Sequence, residues 1–553
     1  MRISDLPRHA QALWQGGSRP IHTEILALLI SLFFTLTGNG AFWSALTVHK
    51  PIFLADTVYL MFFTGLLMTG LQWLLLLLVI NRWTAKPLMF LLLCLSAPAV
   101  YFMSKYGVYL DKAMVRNIFE TDMREASELF DWAMVPYWLG YALLPGLLLW
   151  RLTIARTSLR RAFNMRAASI LVAIIMVAAG LWPVMNQLVP AFREHKELRY
   201  LVTPSNFLIS SVRLMAAQPV AMAGEPAKRE ITAPDAHIAI TGRKPQAVVL
   251  VIGETVRAAN WGLNGYPRQT TPELATRDLI NFRRVISCGT DTATSLPCMF
   301  SPYGRANYDE DRIRRSESLL HVLNRVGVRV LWRDNQSGCK GVCDGLSVED
   351  ASTAAEPGLC DGKRCFDGIL LQGLKERIAA AQGDTLIVLH MLGNHGPAYY
   401  QRYPSDFRRF TPTCDTTDLA SCSHEALVNT YDNAILYTDH ILAALIDELN
   451  GITSHDTAML YVSDHGESLG EKSLYLHGVP YAIAPDEQTH VPMAMWLSSR
   501  LAESLRVTPS CLTRLAQTET VSHDHLFHTL LGLFGVQTQA YDATLDMMKE
   551  CKK

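Results

Sequence analysis

Residues 247–255 read AVVLVIGET: six apolar positions with no polar alternation, then a glycine, a carboxylate and a hydroxyl. A strand with one wet face alternates apolar and polar side chains, so an unbroken Val, Leu and Ile run predicts a strand covered on both faces of a parallel sheet. Runs of the same character recur at 328–332, 385–389 and 458–462, and helical stretches at 316–325 and 430–450 alternate with them. That alternation predicts an α/β domain with a doubly wound sheet. Functional groups in such sheets gather beyond the carboxyl ends of the strands. Here those ends carry Gly253-Glu254-Thr255, Gly393-Asn394-His395-Gly396 and Ser463-Asp464-His465-Gly466-Glu467.

Glu254, Asp464 and His465 form a donor set suited to a divalent cation such as zinc. An acidic residue after a strand is, taken singly, more often a cap or turn former. Three chemically compatible groups at equivalent strand ends make the stronger pattern. Thr292 lies in CGTDTATSLPC, residues 288–298, among other hydroxyls and between two cysteines. A threonine hydroxyl is a weak nucleophile unless a metal stabilises its alkoxide, and a helix starting beside it would favour the negative charge further. From composition alone, Thr290, Thr292, Thr294 and Ser295 read equally well as loop and cap residues.

The apolar residues concentrate upstream of this domain. Uncharged runs occupy 25–48, 57–80, 87–103, 132–150 and 167–192 of the 553 residues. Each approaches the ~20 residues that cross a bilayer at ~1.5 Å per residue, which predicts an α-helical bundle of five spans. Arg2, Arg8 and Arg19 precede the first run, Arg82 and Lys86 separate the second from the third, and Arg151, Arg156, Arg160, Arg161 and Arg166 separate the fourth from the fifth. By the positive-inside rule those loops are cytoplasmic, and the chain after 192 lies outside. The expected division is a transmembrane domain at 1–192, a bridging segment at 193–244 and a catalytic domain at 245–553. The bridge is interrupted by Pro204, Pro219, Pro226 and Pro234, with a short amphipathic helix expected at 207–215.

Cysteine use agrees with that topology. Cys94 stands alone inside a span, whereas the other ten fall beyond the fifth: Cys288 and Cys298, Cys339 and Cys343, Cys360 and Cys365, Cys414 and Cys422, then Cys511 and Cys551. The first four are close pairs, as local disulfide staples in an oxidising compartment would be. The alternative, a zinc–thiolate cluster, lacks a repeated CxxC spacing. Pairing of Cys511 with Cys551 is left open. The net charge of −1 says nothing of partners; no nucleic-acid partner is expected, and the chain is read as a monomer.

Glu254 after its strand, SCGTDTATSLPCMFS at 287–301, GNHGPAYY at 393–400 and SDHGESLGEKSLYLHGVP at 463–480 together resemble the phosphoethanolamine transferases. That family includes lipid A modifying enzymes and mobile colistin resistance enzymes, within the alkaline-phosphatase and sulfatase-like superfamily. The resemblance implies five N-terminal spans in a bacterial inner membrane and a periplasmic catalytic domain. It implies one zinc ion, or two, on Glu254, Asp464, His465 and the nucleophile Thr292. His395 and His477 match histidines that contact the transferred group or a second zinc, Lys340 in DNQSGCKG matches a substrate-contacting lysine, and His490 is a further candidate near the site. Between the third and fourth spans, Asn117, Thr121 and Glu125 share one helical face by i, i+4 spacing; matching positions in the family help bind the lipid donor, although a solvated amphipathic face would show the same pattern.

The implied reaction moves phosphoethanolamine from phosphatidylethanolamine onto Thr292 and then onto a phosphate of lipid A or another periplasmic glycan, with polymyxin resistance as the consequence. A phosphoglycerol transferase is the nearest rival. A sulfatase is disfavoured because no Cys or Ser followed by x-Pro-x-Arg stands at the nucleophile position, and a non-catalytic membrane sensor is disfavoured by the intact Glu254, Thr292, Asp464 and His465 set.

Overall fold

The computed structural model describes residues 20–48, 50–51, 53–121, 123–217, 229–239 and 242–553. Arg2, Arg8, Arg19, Asp122, Pro219 and Pro226 lie outside the described residues. The chain forms two compact units, one running through Asp111 together with Asp131–Val212, the other composed of Lys112–Phe130 and Arg213–Lys553.

In the first unit, Ala55–Val79, Ala85–Tyr106, Trp132–Arg151 and Leu159–Leu181 are helices long and apolar enough to cross a membrane. Many of their large apolar side chains are exposed, among them Phe62, Leu78 and Leu148, as a helix facing lipid requires. The first expected span is a bent pair, Thr23–Thr37 and Gly40–Leu46, turning 56° at the break, so among the described residues the candidate spans number four, or five with the pair counted as one. Asn39 occupies the break, its Nδ2 donating to the carbonyls of Phe34 at 2.7 Å and Thr203 at 3.0 Å. It adds a second donor to the Phe34 carbonyl, which already accepts the Gly38 N–H at 2.9 Å, and ties the break to Thr203. The fifth span differs from its expected 167–192: the helix begins at Leu159 and ends at Leu181, and Met185–Glu194 follows as a separate helix. Arg166, expected in a loop, is therefore inside a helix. Its Nε lies 3.0 Å from Glu24 Oε1 and its guanidinium also donates to the Ile80 carbonyl, which compensates the charge. The helix expected at 207–215 extends over Ser205–Ala217.

The second unit is built on seven strands: β1 (Gln246–Gly253), β2 (Ile280–Phe282), β3 (Arg329–Asp334), β4 (Ser347–Asp350), β5 (Thr385–His390), β6 (Asp456–Ser463) and β7 (Met493–Leu497). They lie side by side in the order β2-β7-β6-β1-β5-β3-β4. Every residue of β1, β5 and β6 is buried, and β1 pairs in parallel with both β5 and β6. The sheet is mixed rather than wholly parallel, because β7 runs antiparallel to both β6 and β2. An apolar run such as MAMWL declares burial on both faces but carries no mark of direction.

Six helices matter for the site: α1 (Lys112–Glu120), α2 (Met123–Glu128), α3 (Thr292–Met299), α4 (Glu310–Arg315), α5 (Leu319–Arg325) and α6 (His424–Asn450). The expected starts at 316 and 430 shift to caps. Ser318 accepts the Leu320 N–H, and Ser423 accepts the Ala426 N–H, each satisfying a donor with no partner in the first turn. The cysteines after the membrane helices close five disulfides, 288–298, 339–343, 360–365, 414–422 and 511–551. The thiolate-cluster alternative is thereby overturned, and Cys94 remains the free cysteine.

Candidate active site

β1 and β6 are neighbours in register, Gly253 opposite Ser463, so the residues that follow them meet beyond the same sheet edge. Glu254, Asp464 and His465 are all fully buried there, with one ligand atom from each lying within 4.8 Å of the others. His465 Nε2 stands 3.4 Å from Glu254 Oε1 and 3.3 Å from Asp464 Oδ2. Thr255 leaves β1 with φ of +53°, and its N–H donates to Asp464 Oδ1 at 3.2 Å, which fixes one carboxylate against the backbone of the neighbouring strand end. α3 starts at Thr292, with Asp291 as its N-cap accepting the Thr294 N–H. Thr292 Oγ1 lies 3.1 Å from Glu254 Oε2 and 3.3 Å from His465 Nε2.

The donor set fits a metal ion. Two buried carboxylate oxygens, Glu254 Oε1 and Asp464 Oδ2, have no hydrogen-bond donor, and such atoms are costly unless a cation meets them. His465 Nδ1 donates to the Gly466 carbonyl at 2.9 Å, which leaves Nε2 as the lone-pair nitrogen facing the cluster. Burial opposes a charge on His465, yet Asp464 and Glu254 overcome it and push the imidazole up to about 10. Burial and the Glu254 charge push Asp464 up to about 6. Two carboxylates that raise a buried imidazole this far make a site for positive charge.

The other predicted residues surround Thr292. Asn117 and Thr121 from α1, Glu125 from α2, Lys340, His395 and His477 line one cleft of about 40 Å³ with it. His477 Nδ1 lies 3.0 Å from Glu467 Oε2, and its ring centroid is 4.4 Å from that of His465 and 5.7 Å from that of His395. His395 Nε2 is 3.3 Å from Glu125 Oε1. Burial would lower His395, but the Glu125 carboxylate dominates and pushes it up to about 9. Lys340 Nζ donates to the Ser337 carbonyl and hydroxyl at 3.2 and 2.8 Å. His490 lines neither this cleft nor the adjoining cavities; its backbone bridges Ile286 instead.

Several contacts at the site come from residues that the sequence reading did not single out. Gln336 Nε2 donates to Glu254 Oε2 at 3.1 Å; the polar run directly after β3 was the available signal. The segment bearing α1 and α2 is pinned at both ends by ion pairs. At one end Lys112 and Arg116 meet Glu310, while Arg314 reaches toward Glu120 at 3.8 Å and donates to the Ala293 carbonyl at 2.7 Å. At the other, Glu128 pairs with Arg364 at 2.8 Å and with Arg402. The Arg402 side chain is 2% exposed, and its Nε donates to the carbonyl of His395 at 2.6 Å.

Comparison with known proteins matches a sulfatase family model over residues 246–536 and the model described as phosphoethanolamine transferase EptA/EptB over residues 68–218. The chain is 40% identical over 482 residues to phosphoethanolamine transferase EptA of Escherichia coli K12, covering 85% of this chain and 86% of that one. It is 37% identical to phosphatidylethanolamine transferase Mcr-1 of Escherichia coli, over 96% of this chain and 97% of that one. Among solved structures, the integral membrane lipooligosaccharide phosphoethanolamine transferase A of Neisseria meningitidis superposes with a TM-score of 0.92 at 34% identity, covering 97% of this chain and all of that one.

Proposed function

Since the chain belongs to the phosphoethanolamine transferase family, we propose that it transfers phosphoethanolamine from phosphatidylethanolamine to a phosphate of lipid A by way of a covalent intermediate on Thr292. The observation that carries the reading is the position of Thr292 Oγ1, 3.1 and 3.3 Å from two residues of the buried Glu254, Asp464 and His465 cluster. Glu254, Asp464 and His465 would hold zinc with Thr292 as the fourth ligand. A bound zinc ion supplies Lewis acidity, lowering the pKa of the threonine hydroxyl and neutralising charge on the phosphoryl oxygens.

The chain's own groups account for the remaining steps. Thr292 sits at the N-terminus of α3, whose N–H groups favour the negative charge on Oγ1 once its hydroxyl proton has left to solvent and the oxygen attacks phosphorus. The bond from phosphorus to the diacylglycerol oxygen breaks, and His395, held protonated beside Glu125, gives that oxygen its proton. Lys340 balances charge on the transferred phosphoryl group. Asn117 and Thr121 supply hydrogen-bonding groups for the donor on the wall opposite the sheet. The acceptor phosphate then takes the group and regenerates Thr292.

The same reading places the apolar helices in a bacterial inner membrane and the second unit in the periplasm, where its five disulfides would persist. Each ethanolamine added to lipid A offsets an acidic phosphate and weakens attraction for polymyxins.

The test is intact mass of the full chain in detergent after incubation with phosphatidylethanolamine. A gain of one phosphoethanolamine unit in wild type and none in Thr292→Ala is expected. The same gain in the variant would exclude Thr292 as nucleophile.

A further inference from the structure

We propose that a second cavity beside the nucleophile cleft receives the phosphorylated sugar end of the acceptor. The proposal rests on the transfer reading above and gives its second half-reaction a place. The cavity encloses about 440 Å³, within the ~300–1,000 Å³ typical of small-molecule sites. Glu120, Ser337 and Lys340 line both this cavity and the cleft that holds Thr292, so the two adjoin with these side chains as the partition.

The wall fits a hydroxylated ring and not an acyl chain. Ser301, Ser316 and Ser318 bring hydroxyls, and Arg229, Arg314, Glu317 and Asp344 bring charge, against only Pro297, Ile313 and Val342 as large apolar surface. An acyl chain would strip water from those groups and return nothing. A sugar offers hydroxyls that both donate and accept, and C–H faces for the few apolar contacts. The charges are largely paired already: Arg229 Nη2 lies 2.7 Å from Asp344 Oδ2, Arg314 Nε lies 3.5 Å from Glu310 Oε1, and Glu317 pairs with Arg325. Lys340 differs in bonding to the carbonyl and hydroxyl of Ser337, which places a cation on the partition where an acceptor phosphate would pass. Its backbone takes a φ of +48°, and the 339–343 disulfide spans it, so its position is set by the loop.

This arrangement separates the two substrates. The donor meets Asn117, Thr121 and Glu125 in the cleft that holds Thr292, and the acceptor sugar lies in the adjoining cavity, behind Lys340. In the second step an acceptor phosphate oxygen bonds to the phosphorus held on Thr292. The bond from phosphorus to Oγ1 breaks, and the proton released from the acceptor phosphate goes to Oγ1.

The test separates the half-reactions in the full chain in detergent. Asp344 stands at the rim with its side chain 64% exposed, so Asp344→Trp blocks the mouth without disturbing the core. The variant is expected to form the phosphoethanolamine adduct at the wild-type rate from phosphatidylethanolamine, while its KM for lipid A rises about tenfold or more. Asp344→Asn, which adds no bulk at the rim, is expected to raise that KM far less than Asp344→Trp does. Glucosamine 1-phosphate, used as a soluble probe, competes with lipid A in wild type. A wild-type KM for lipid A in Asp344→Trp, or a loss of adduct formation equal to the loss of discharge, would overturn the acceptor assignment. Absence of any adduct in wild type would instead overturn the transfer reading on which it rests.

Discussion

His395 Nε2 lies 3.3 Å from Oε1 of Glu125, joining a loop beyond the sheet edge to a segment whose sequence lies between two apolar helices. The pair sets the charge on the histidine. Its ordinary value of 6.5 is pushed up to about 9 because the carboxylate outweighs burial. With Glu125→Gln, burial acts unopposed by that charge and the imidazole gives up its proton at lower pH. The alkaline limb of the transfer rate against pH is expected to move down by about one unit or more. A superimposable profile in the variant would show that His395 does not act as the cation.

Gln336 should matter through the carboxylate it orients. Its Nε2 donates to Glu254 Oε2 at 3.1 Å, and partners of this kind are worth about 10–100-fold in metal affinity or activity. Gln336→Ala is expected to lose zinc to a competing chelator at about tenfold lower chelator concentration than wild type. In wild type, chelation should abolish adduct formation and added zinc should restore it. Unchanged competition in the variant would reduce Gln336 to a neighbour without a role.

Glu128 should govern order in the segment above the cleft. Arg402 is almost wholly buried and Glu128 is its ion-pair partner, so Glu128→Ala leaves a desolvated cation and costs about 3 kcal/mol locally. The segment 112–130 is expected to exchange its amide hydrogens faster in the variant, and transfer activity to fall with it. Unaltered exchange across 112–130 would show that Arg402 finds compensation elsewhere.

Acid should weaken the second unit through His523. That imidazole accepts the Cys288 N–H at Nδ1 and faces the Ser463 carbonyl through Nε2 at 3.0 Å, so it is held neutral. Burial pushes it down to about 4 from an ordinary 6.5. The unfolded chain therefore takes up the proton first as pH falls. The contribution is full above about pH 6.5 and is lost toward pH 4, amounting to about 3 kcal/mol. Thermal unfolding measured from pH 7 to pH 4 should show this loss in wild type and a shallower slope in His523→Gln. Parallel slopes would assign the acid sensitivity to other groups.

The parts of this molecule legible in the sequence are those that repeat a rule. Strands β1, β5 and β6 announce themselves by apolar runs that end in chemistry, so Glu254, Asp464 and His465 could be read as a group before any contact was known. What stayed hidden depends on partners distant in sequence. Gln336, Glu128 and Arg402 act through single contacts that leave no periodicity, and an apolar strand such as β7 looks the same in either direction. Arg166 was misplaced because a charge usually marks the end of a span; Glu24 makes an interior position tolerable. Lys340, Asn117, Thr121 and Glu125 are singled out by family resemblance alone; they line one cleft with Thr292, a proximity that no periodicity announces.

The membership of 112–130 in the catalytic unit has a practical meaning for anyone who cuts this chain. A fragment beginning near residue 245, the boundary that the sequence suggests, keeps the sheet, Thr292 and the Glu254, Asp464 and His465 cluster. It discards the carboxylate beside His395 and the wall bearing Asn117 and Thr121. Such a fragment would be half an active site. An inhibitor selected against it would be fitted to a trough rather than to the walled cleft, and would gain nothing from contacts with Asn117, Thr121 and Glu125.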